Sequence, residues 1–164
     1  MMSSSDSLPS SSISSTPHLA PVKKAIACYH ANIGACNGCD LEVCNLFSLS
    51  LLKKLPLEIT LVRTVKNAEV LLVTGSLSRP LVKRIKELKE MLTANKTIIA
   101  VGACAIDGGL WRKSYPIIGG IDKMLPVNYY LPGCPPAPDA ILFCLESALV
   151  SKKKQFSPII YKEK

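Results

Sequence analysis

Short apolar runs alternate along the chain with longer segments in which apolar side chains recur every three or four residues. The short runs predict β-strands, and one of them, Val70–Val73, is apolar throughout and is expected to be buried on both faces. The five predicted strands are Val22–Cys28, Leu57–Val62, Val70–Val73, Thr97–Val101 and Val127–Leu131. Strands that alternate with helices are typical of βαβ units, so the pattern predicts a parallel sheet.

Three longer segments have the spacing of amphipathic helices. They are Asp40–Leu55, a helix begun by Ser78 and Pro80, and Pro138–Val150. Their apolar positions are Leu41, Leu46, Leu49 and Leu52 in the first, Leu81, Val82, Ile85, Leu88 and Leu92 in the second, and Ile141, Leu142, Leu145 and Leu149 in the third. Each helix therefore has one face that packs on the sheet. The predicted fold class is α/β, a flavodoxin-like doubly wound parallel sheet with helices on both faces.

Length and composition predict one domain with two flanking segments. The chain has 164 residues and 48% hydrophobic content, which suffices for one core. Residues 1–21 are rich in Ser and Pro with one charged side chain, Asp6, and are expected to form a disordered arm. Residues 22–150 form the predicted domain and residues 151–164 a basic tail. The arm lacks the features of an export signal, and no apolar run is long enough to span a membrane.

The net charge of +8 is concentrated partly in the tail, which carries five lysines. Such a tail is either solvated or in contact with nucleic acid, anionic lipid or an acidic subunit. Aromatic residues make up only 5% of the chain, and none lies within the lysine run 152–154. A nucleic-acid-binding module is therefore not expected.

Four of the seven cysteines follow predicted strands. Cys36 and Cys39 are separated by two residues, a spacing that fits a metal or cluster site, a redox dithiol or half of a zinc site. Cys104 and Cys134 each follow a short apolar run inside a glycine-containing turn. Parallel strands end at one edge of the sheet, so the four thiols are expected to converge there, beside the turn Thr74–Ser76. Seven cysteines in a chain without an expected export signal point to a reducing compartment, and their odd number argues against a complete disulfide framework.

At these residues the chain resembles the small, cluster-bearing subunit shared by nickel–iron hydrogenases and respiratory complex I. The resemblance covers roughly residues 22–150. It rests on three motifs, Cys-Asn-Gly-Cys-Asp-Leu-Glu from Cys36 to Glu42, Gly-Ala-Cys-Ala from Gly102 to Ala105, and Pro-Gly-Cys-Pro-Pro from Pro132 to Pro136. It implies that Cys36, Cys39, Cys104 and Cys134 hold one 4Fe–4S cluster. The chain would then be the electron-transfer subunit of an oxidoreductase complex, with no complete active site of its own.

The resemblance also implies partners. These are a large catalytic subunit that holds the nickel–iron site, a ferredoxin-like iron–sulfur subunit, and membrane subunits that place the chain on the inner, cytoplasmic face of the cell membrane. Cys36 and Cys39 are separated as in the hydrogenases, whereas the complex I branch has two adjacent cysteines, so the resemblance favours a membrane-associated, energy-converting hydrogenase. Ala137 and Asp139 depart from the common Arg and Glu of relatives. The alternatives are a cluster subunit of a complex I-like quinone reductase and a zinc-stabilised module without redox function.

Glu42, His30 and three further cysteines lie near the motifs and are not expected to be ligands. By resemblance, Glu42 borders the catalytic subunit as a proton-path or cluster-tuning group; read from the sequence alone, it is a carboxylate favoured by the first turn of a helix. His30 either bonds a cluster sulfur or packs at a strand end. Cys28, Cys44 and Cys144 are expected to be buried apolar side chains.

Overall fold

The computed structural model describes residues 25–48, 58–93 and 95–151. The strands are β1 (Ala25–Asn32), β2 (Glu58–Leu61), β3 (Val70–Thr74), β4 (Leu77–Ser78), β5 (Thr97–Val101), β6 (Ile117–Gly119) and β7 (Tyr129–Leu131). Five of them form one sheet in the order β2-β1-β3-β5-β7, and each neighbouring pair is parallel. The predicted arm of residues 1–21 and all of the predicted tail except Ser151 lie outside the described residues.

Helices pack on both faces of this sheet. They are α1 (Gly38–Leu46), α2 (Val82–Glu90), α3 (Ala103–Asp107) and α4 (Pro138–Ser151). One core joins the sheet to α1 and α4 through buried residues such as Val43 and Ile141. A second core on the opposite face joins the sheet to α2 and α3 through residues such as Ile85 and Ala105. The α/β class with helices on both faces is thus confirmed. The predicted apolar position Leu41 is wrong: its side chain is 63% exposed, and the face of α1 that packs on the sheet is formed by Cys39, Val43 and Leu46.

The central strands are buried on both faces, as the continuous apolar run predicted. Alternate side chains of β3 enter opposite cores: Val70 and Leu72 face α1 and α4, whereas Leu71 and Val73 face α2 and α3. β5 alternates in the same way. This period of two fixes the register of the sheet, since a slip by one residue would exchange the two cores.

The first helix differs from its prediction at both described ends. It begins at Gly38 rather than Asp40, because Asn37 adopts a left-handed conformation with φ 70° and turns the chain earlier. It is helical to Leu46, and residues 49–57, which include the predicted apolar positions Leu49 and Leu52, lie outside the described residues.

The second helix was predicted to begin at Ser78, but Leu77–Ser78 pairs with β6 as a short antiparallel ribbon. A 3₁₀ turn, Arg79–Leu81, follows and leads into α2. The Ser78 side chain makes no capping hydrogen bond. Tertiary pairing with a segment about forty residues later therefore overrides the local start signal.

The last strand is two residues shorter than predicted. It begins at Tyr129, because the side-chain carbonyl of Asn128 takes the place of a backbone acceptor and receives the N–H of Ile98 at 2.8 Å. The described residues contain no helix long and apolar enough to cross a membrane.

Candidate functional site at the carboxyl edge of the sheet

The four cysteines of the sequence motifs are carried by loops and helices that follow three parallel strands. Cys36 lies in the loop after β1, and Cys39 lies in the first turn of α1. Cys104 is the second residue of α3, directly after β5, and Cys134 follows β7. Because these strands are parallel, all four residues lie at the carboxyl edge of the sheet.

The thiols of Cys36 and Cys134 lie close enough to Cys39 and Cys104 to affect the pKa values of those two cysteines. Burial raises the pKa of Cys39 to about 11, and the neighbouring thiols of Cys104, Cys36 and Cys134 contribute further in the same direction. Burial also raises the pKa of Cys104, and the neighbouring thiols of Cys134 and Cys36 contribute in the same direction. A positively charged group placed among the four sulfur atoms would favour the thiolate forms of Cys39 and Cys104, whose pKa values are raised.

Two glycines bring the backbone against these sulfur atoms. Gly102 has φ +85°, and a Cβ atom there would lie 2.5 Å from the Sγ of Cys39. A Cβ atom on Gly109, where φ is +59°, would lie 2.8 Å from the Sγ of Cys104. Both positions require glycine, for the backbone conformation and for the space beside the thiol.

Backbone hydrogen bonds tie the loop of Cys104 to the loop of Cys134. The N–H of Gly102 donates to the carbonyl of Leu131 at 2.8 Å, and the N–H of Ala103 donates to the carbonyl of Gly133 at 2.9 Å. These bonds extend the β5–β7 pairing past the strand ends and fix the two thiols relative to each other.

Asp40, the residue after Cys39, is the centre of a polar network. Its Oδ1 accepts a hydrogen bond from the hydroxyl of Thr74 at 2.6 Å and lies 2.8 Å from Nε2 of His30. Its Oδ2 accepts from Nδ2 of Asn32 at 2.8 Å. Burial lowers the pKa of His30 despite the nearby carboxylate, which favours the neutral ring near neutral pH. The network joins the start of α1 to the ends of β1 and β3.

Asn32 extends this network into the first cysteine loop. Its Oδ1 accepts the backbone N–H groups of Gly34 and Ala35 at 2.9 and 3.0 Å. Neither Asn32 nor Asp40 was assigned a role from the sequence. The available signal was the position of Asp40 in the first turn of α1, where a carboxylate is favoured.

The predicted positions and burial of the other residues near the site agree with the structure in some cases and not in others. Glu42 is the fifth residue of α1 rather than part of its first turn, and its Oε2 accepts a hydrogen bond from Asn45 at 3.3 Å. Cys28 is fully buried, as expected. Cys144 was expected to be buried as well, but it is half-buried and packs against the same core. The prediction for Cys44 is wrong: it is exposed, because it lies on the solvent side of α1 next to the buried Val43.

The donor chemistry at this edge fits a thiolate-bound cluster. Within residues 25–48, 58–93 and 95–151, no group of three or more His, Cys, Asp or Glu side chains is arranged to hold a metal ion. A 4Fe–4S cluster binds each thiolate at a different iron atom, so its ligands stand farther apart than those of one ion. Four thiols from three loops, lined by glycine backbone, fit such a donor set.

The family model for the NADH ubiquinone oxidoreductase 20 kDa subunit matches residues 36–148. The chain belongs to this family. The match begins at the first of the four cysteines and extends into α4, so it includes all three motifs. The resemblance inferred from the motifs is therefore confirmed at the family level.

Several relatives of the chain are named as subunits of oxidoreductase complexes. The chain is 36% identical to the probable membrane-bound hydrogenase subunit of Pyrococcus furiosus, over 74% of this chain and 72% of the relative. It is 42% identical to an NADH-quinone oxidoreductase subunit of Phocaeicola vulgatus, over 48% of this chain and only 39% of that protein. Among solved structures, a chain of an archaeal membrane-bound sulfane sulfur reductase superimposes with a TM-score of 0.63 at 26% identity, covering 81% of this chain and 73% of that one.

Proposed function

We propose that this protein is an electron-transfer subunit that carries one 4Fe–4S cluster on Cys36, Cys39, Cys104 and Cys134. The cluster would pass electrons to or from the nickel–iron catalytic subunit of a membrane-associated, energy-converting hydrogenase. The observation that supports this most strongly is the convergence of four thiols from three parallel strand ends in a member of the 20 kDa subunit family.

The chain's own residues would hold the cluster and set its surroundings. When bound, a 4Fe–4S cluster supplies reversible one-electron reduction. Cys39 is buried, whereas Cys36 and Cys134 are exposed. A partner subunit can therefore approach from the side of the exposed thiols, while the buried side keeps water away. Backbone at Gly102 and Gly109 limits the space around the sulfurs, and such surroundings tune reduction potential.

Two observations favour the hydrogenase branch. Cys36 and Cys39 are separated, in contrast to the adjacent cysteines typical of the complex I branch. The alignment with the Pyrococcus hydrogenase subunit also covers most of both chains, whereas the quinone oxidoreductase subunit is matched over less than half of its length. A complex I-like quinone reductase is the second candidate, because the family model and several relatives carry that name. Nickel in the associated large subunit would decide between them.

The proposed assembly contains three kinds of partner. They are the catalytic large subunit, a ferredoxin-like iron–sulfur subunit and membrane subunits that hold the chain at the inner face of the cell membrane. In this proposal residues 22–150 form the cluster-binding domain, with residues 1–21 and 151–164 as flanking segments.

Metal analysis of the anaerobically purified protein, isolated with its accompanying subunits, tests the proposal. We expect four irons and four sulfides for this subunit, after subtraction of clusters assigned to its partners, and an electron paramagnetic resonance signal after dithionite reduction. Zinc without iron, in protein kept anaerobic throughout, would contradict the proposal and support a structural module instead.

A further inference from the structure

The loop after α3 exposes three large apolar side chains within six residues. We call residues 109–116 the aromatic loop. Leu110 is 83% exposed, Trp111 60% and Tyr115 84%. Single exposed apolar residues are common on protein surfaces, but a group that includes Trp and Tyr is typical of an interaction site.

Backbone hydrogen bonds hold the aromatic loop in this exposed form. The N–H of Arg112 donates to the carbonyl of Gly109, and the N–H of Ser114 donates to that of Trp111 at 2.8 Å. At the base of the loop, the N–H of Arg79 donates to the carbonyl of Pro116 at 2.8 Å. The exposed side chains are therefore presented on an ordered segment, which reduces the entropy lost when a partner binds.

The charge around the aromatic loop is positive. The guanidinium of Arg79 lies 5.0 Å from the ring centre of Tyr115, and its Nε donates to the carbonyl of the same residue at 3.0 Å. Arg112 and Lys113 add two cations, and the neighbouring carboxylate is Asp107, whose Oδ2 lies 3.9 Å from Arg112. That pair is exposed and weak, so most of the positive charge remains available to an acidic surface.

The aromatic loop is joined directly to one of the proposed cluster ligands. Gly109 lies against the Sγ of Cys104, and the N–H of Gly108 donates to the Cys104 carbonyl at 3.0 Å. The N–H of Gly109 is held by Oδ1 of Asp107 at 2.7 Å. A partner that covers Leu110 and Trp111 would therefore lie beside Cys104.

We propose that the aromatic loop is the docking surface for a partner subunit that exchanges electrons with the cluster. The partner's face has an apolar centre that covers Leu110, Trp111 and Tyr115, and carboxylates that meet Arg79, Arg112 and Lys113. Trp, Tyr and Arg are the residues that contribute most to binding at protein interfaces, and a compact patch of this kind suits a small electron-transfer contact. The assignment of electron exchange rests on the proposed function.

Site-specific photo-cross-linking in the intact, anaerobically purified complex tests this surface. The photoreactive residue p-benzoylphenylalanine replaces Trp111 in one variant and Phe143, which is 72% exposed on α4, in the control. We expect position 111 to form an adduct with one partner subunit, at a peptide rich in Asp and Glu, and position 143 not to label that peptide. An adduct with lipid, with a second copy of this chain or with no partner would overturn the proposal.

Charge reversal gives an independent measurement. At low salt, the amount of the cross-linked subunit that stays bound to the double variant Arg112→Glu, Lys113→Glu should be about tenfold lower than the amount that stays bound to the unaltered protein. The control, Lys83→Glu with Lys86→Glu, changes two exposed cations of α2 and should retain it normally. Equal loss in both variants would contradict docking at the aromatic loop.

The iron content of the protein shows whether a negative result rejects the docking surface or the proposed function. Iron at its expected level with no adduct at position 111 rejects only the docking surface. An adduct at a partner peptide rich in Asp and Glu, in protein that lacks iron, would reject the proposed cluster. The assignment of electron exchange would then be rejected too, although the contact between the aromatic loop and the partner would stand.

Discussion

Cys104 and Cys144 are both partly buried, but different groups surround their sulfur atoms. The pKa of Cys104 is raised by burial and by the neighbouring thiols of Cys134 and Cys36, whereas the pKa of Cys144 is raised to about 11 by burial alone. We expect Cys104→Ser to remove most of the iron and the reduced-cluster signal, because it deletes a proposed ligand. Cys144→Ser should leave both unchanged. Equal iron loss in the two variants would show that the ligands are wrongly assigned.

Asp40 is the residue whose importance only the structure reveals. In Asp40→Ala the buried hydroxyl of Thr74 and the ring of His30 lose the carboxylate that joins them and keep only their mutual contact at 2.9 Å, so the free energy of unfolding should fall by about 2 kcal/mol. Chemical denaturation of the variant measures this loss. In the control, Glu90→Ala removes an exposed carboxylate from α2 and should change stability by less than about 0.5 kcal/mol. A loss in Asp40→Ala no larger than in the control would refute the role of the network.

Cys28 should make stability depend on alkaline pH. Burial, with Glu69 as a lesser cause, raises its pKa from 9.0 to about 12 in the folded protein. The folded state therefore binds the proton more tightly than the unfolded state, so this stabilisation is complete below pH 9 and is lost between pH 9 and about pH 12. Unfolding measured across this range should show a shallower decline for Cys28→Ala than for the unaltered chain. Parallel declines would mean that Cys28 does not titrate differently in the two states.

At the scale of elements, the turn between β5 and α3 depends on one glycine. Gly102→Ala would place a methyl group 2.5 Å from the Sγ of Cys39 and would strain a backbone with φ +85°. We expect the melting temperature to fall and the free energy of unfolding to decrease by about 1–3 kcal/mol. The protein should also contain less iron.

Gly38 provides a matched control for this substitution. It also lies beside a ligand thiol, but a Cβ atom there would meet Sγ of Cys36 at 3.7 Å, an ordinary contact. Because Gly38 is helical, Gly38→Ala should leave stability unchanged or raise it by up to about 1 kcal/mol. Similar damage from both substitutions would argue against specific crowding at Gly102.

The elements that periodicity predicted were the ones with long apolar patterns. β3, β5 and α4 follow their predicted ranges closely, because continuous or amphipathic apolar runs report burial directly. The five-residue helix α3 and the ribbon of β4 and β6 were not predicted from the sequence. Segments this short contain less than two helical turns or a few strand residues, so no period can be read from them.

At the scale of the whole molecule, the sheet order predicts a gradient of local stability. β3 lies at the centre with all five residues buried, whereas β2 is an edge strand with one of four residues buried. Amide hydrogen exchange in native conditions should therefore be slowest in β3 and β5 and faster in β2. Exchange in β2 as slow as in β3 would show that another subunit or segment covers this edge.

By itself the sequence determined the α/β class, the central strands and the four cysteines at one sheet edge. It could do so because apolar period and thiol spacing are local properties, and because parallel strands must end on the same side. Only the tertiary structure decided that Asp40 joins His30 and Thr74, that Cys44 faces solvent and that the aromatic loop stands exposed beside Cys104. Asp40 and Thr74 are 34 residues apart, and His30 and Thr74 are 44 apart. Contacts at such separations depend on how strands and helices pack, which no local pattern encodes.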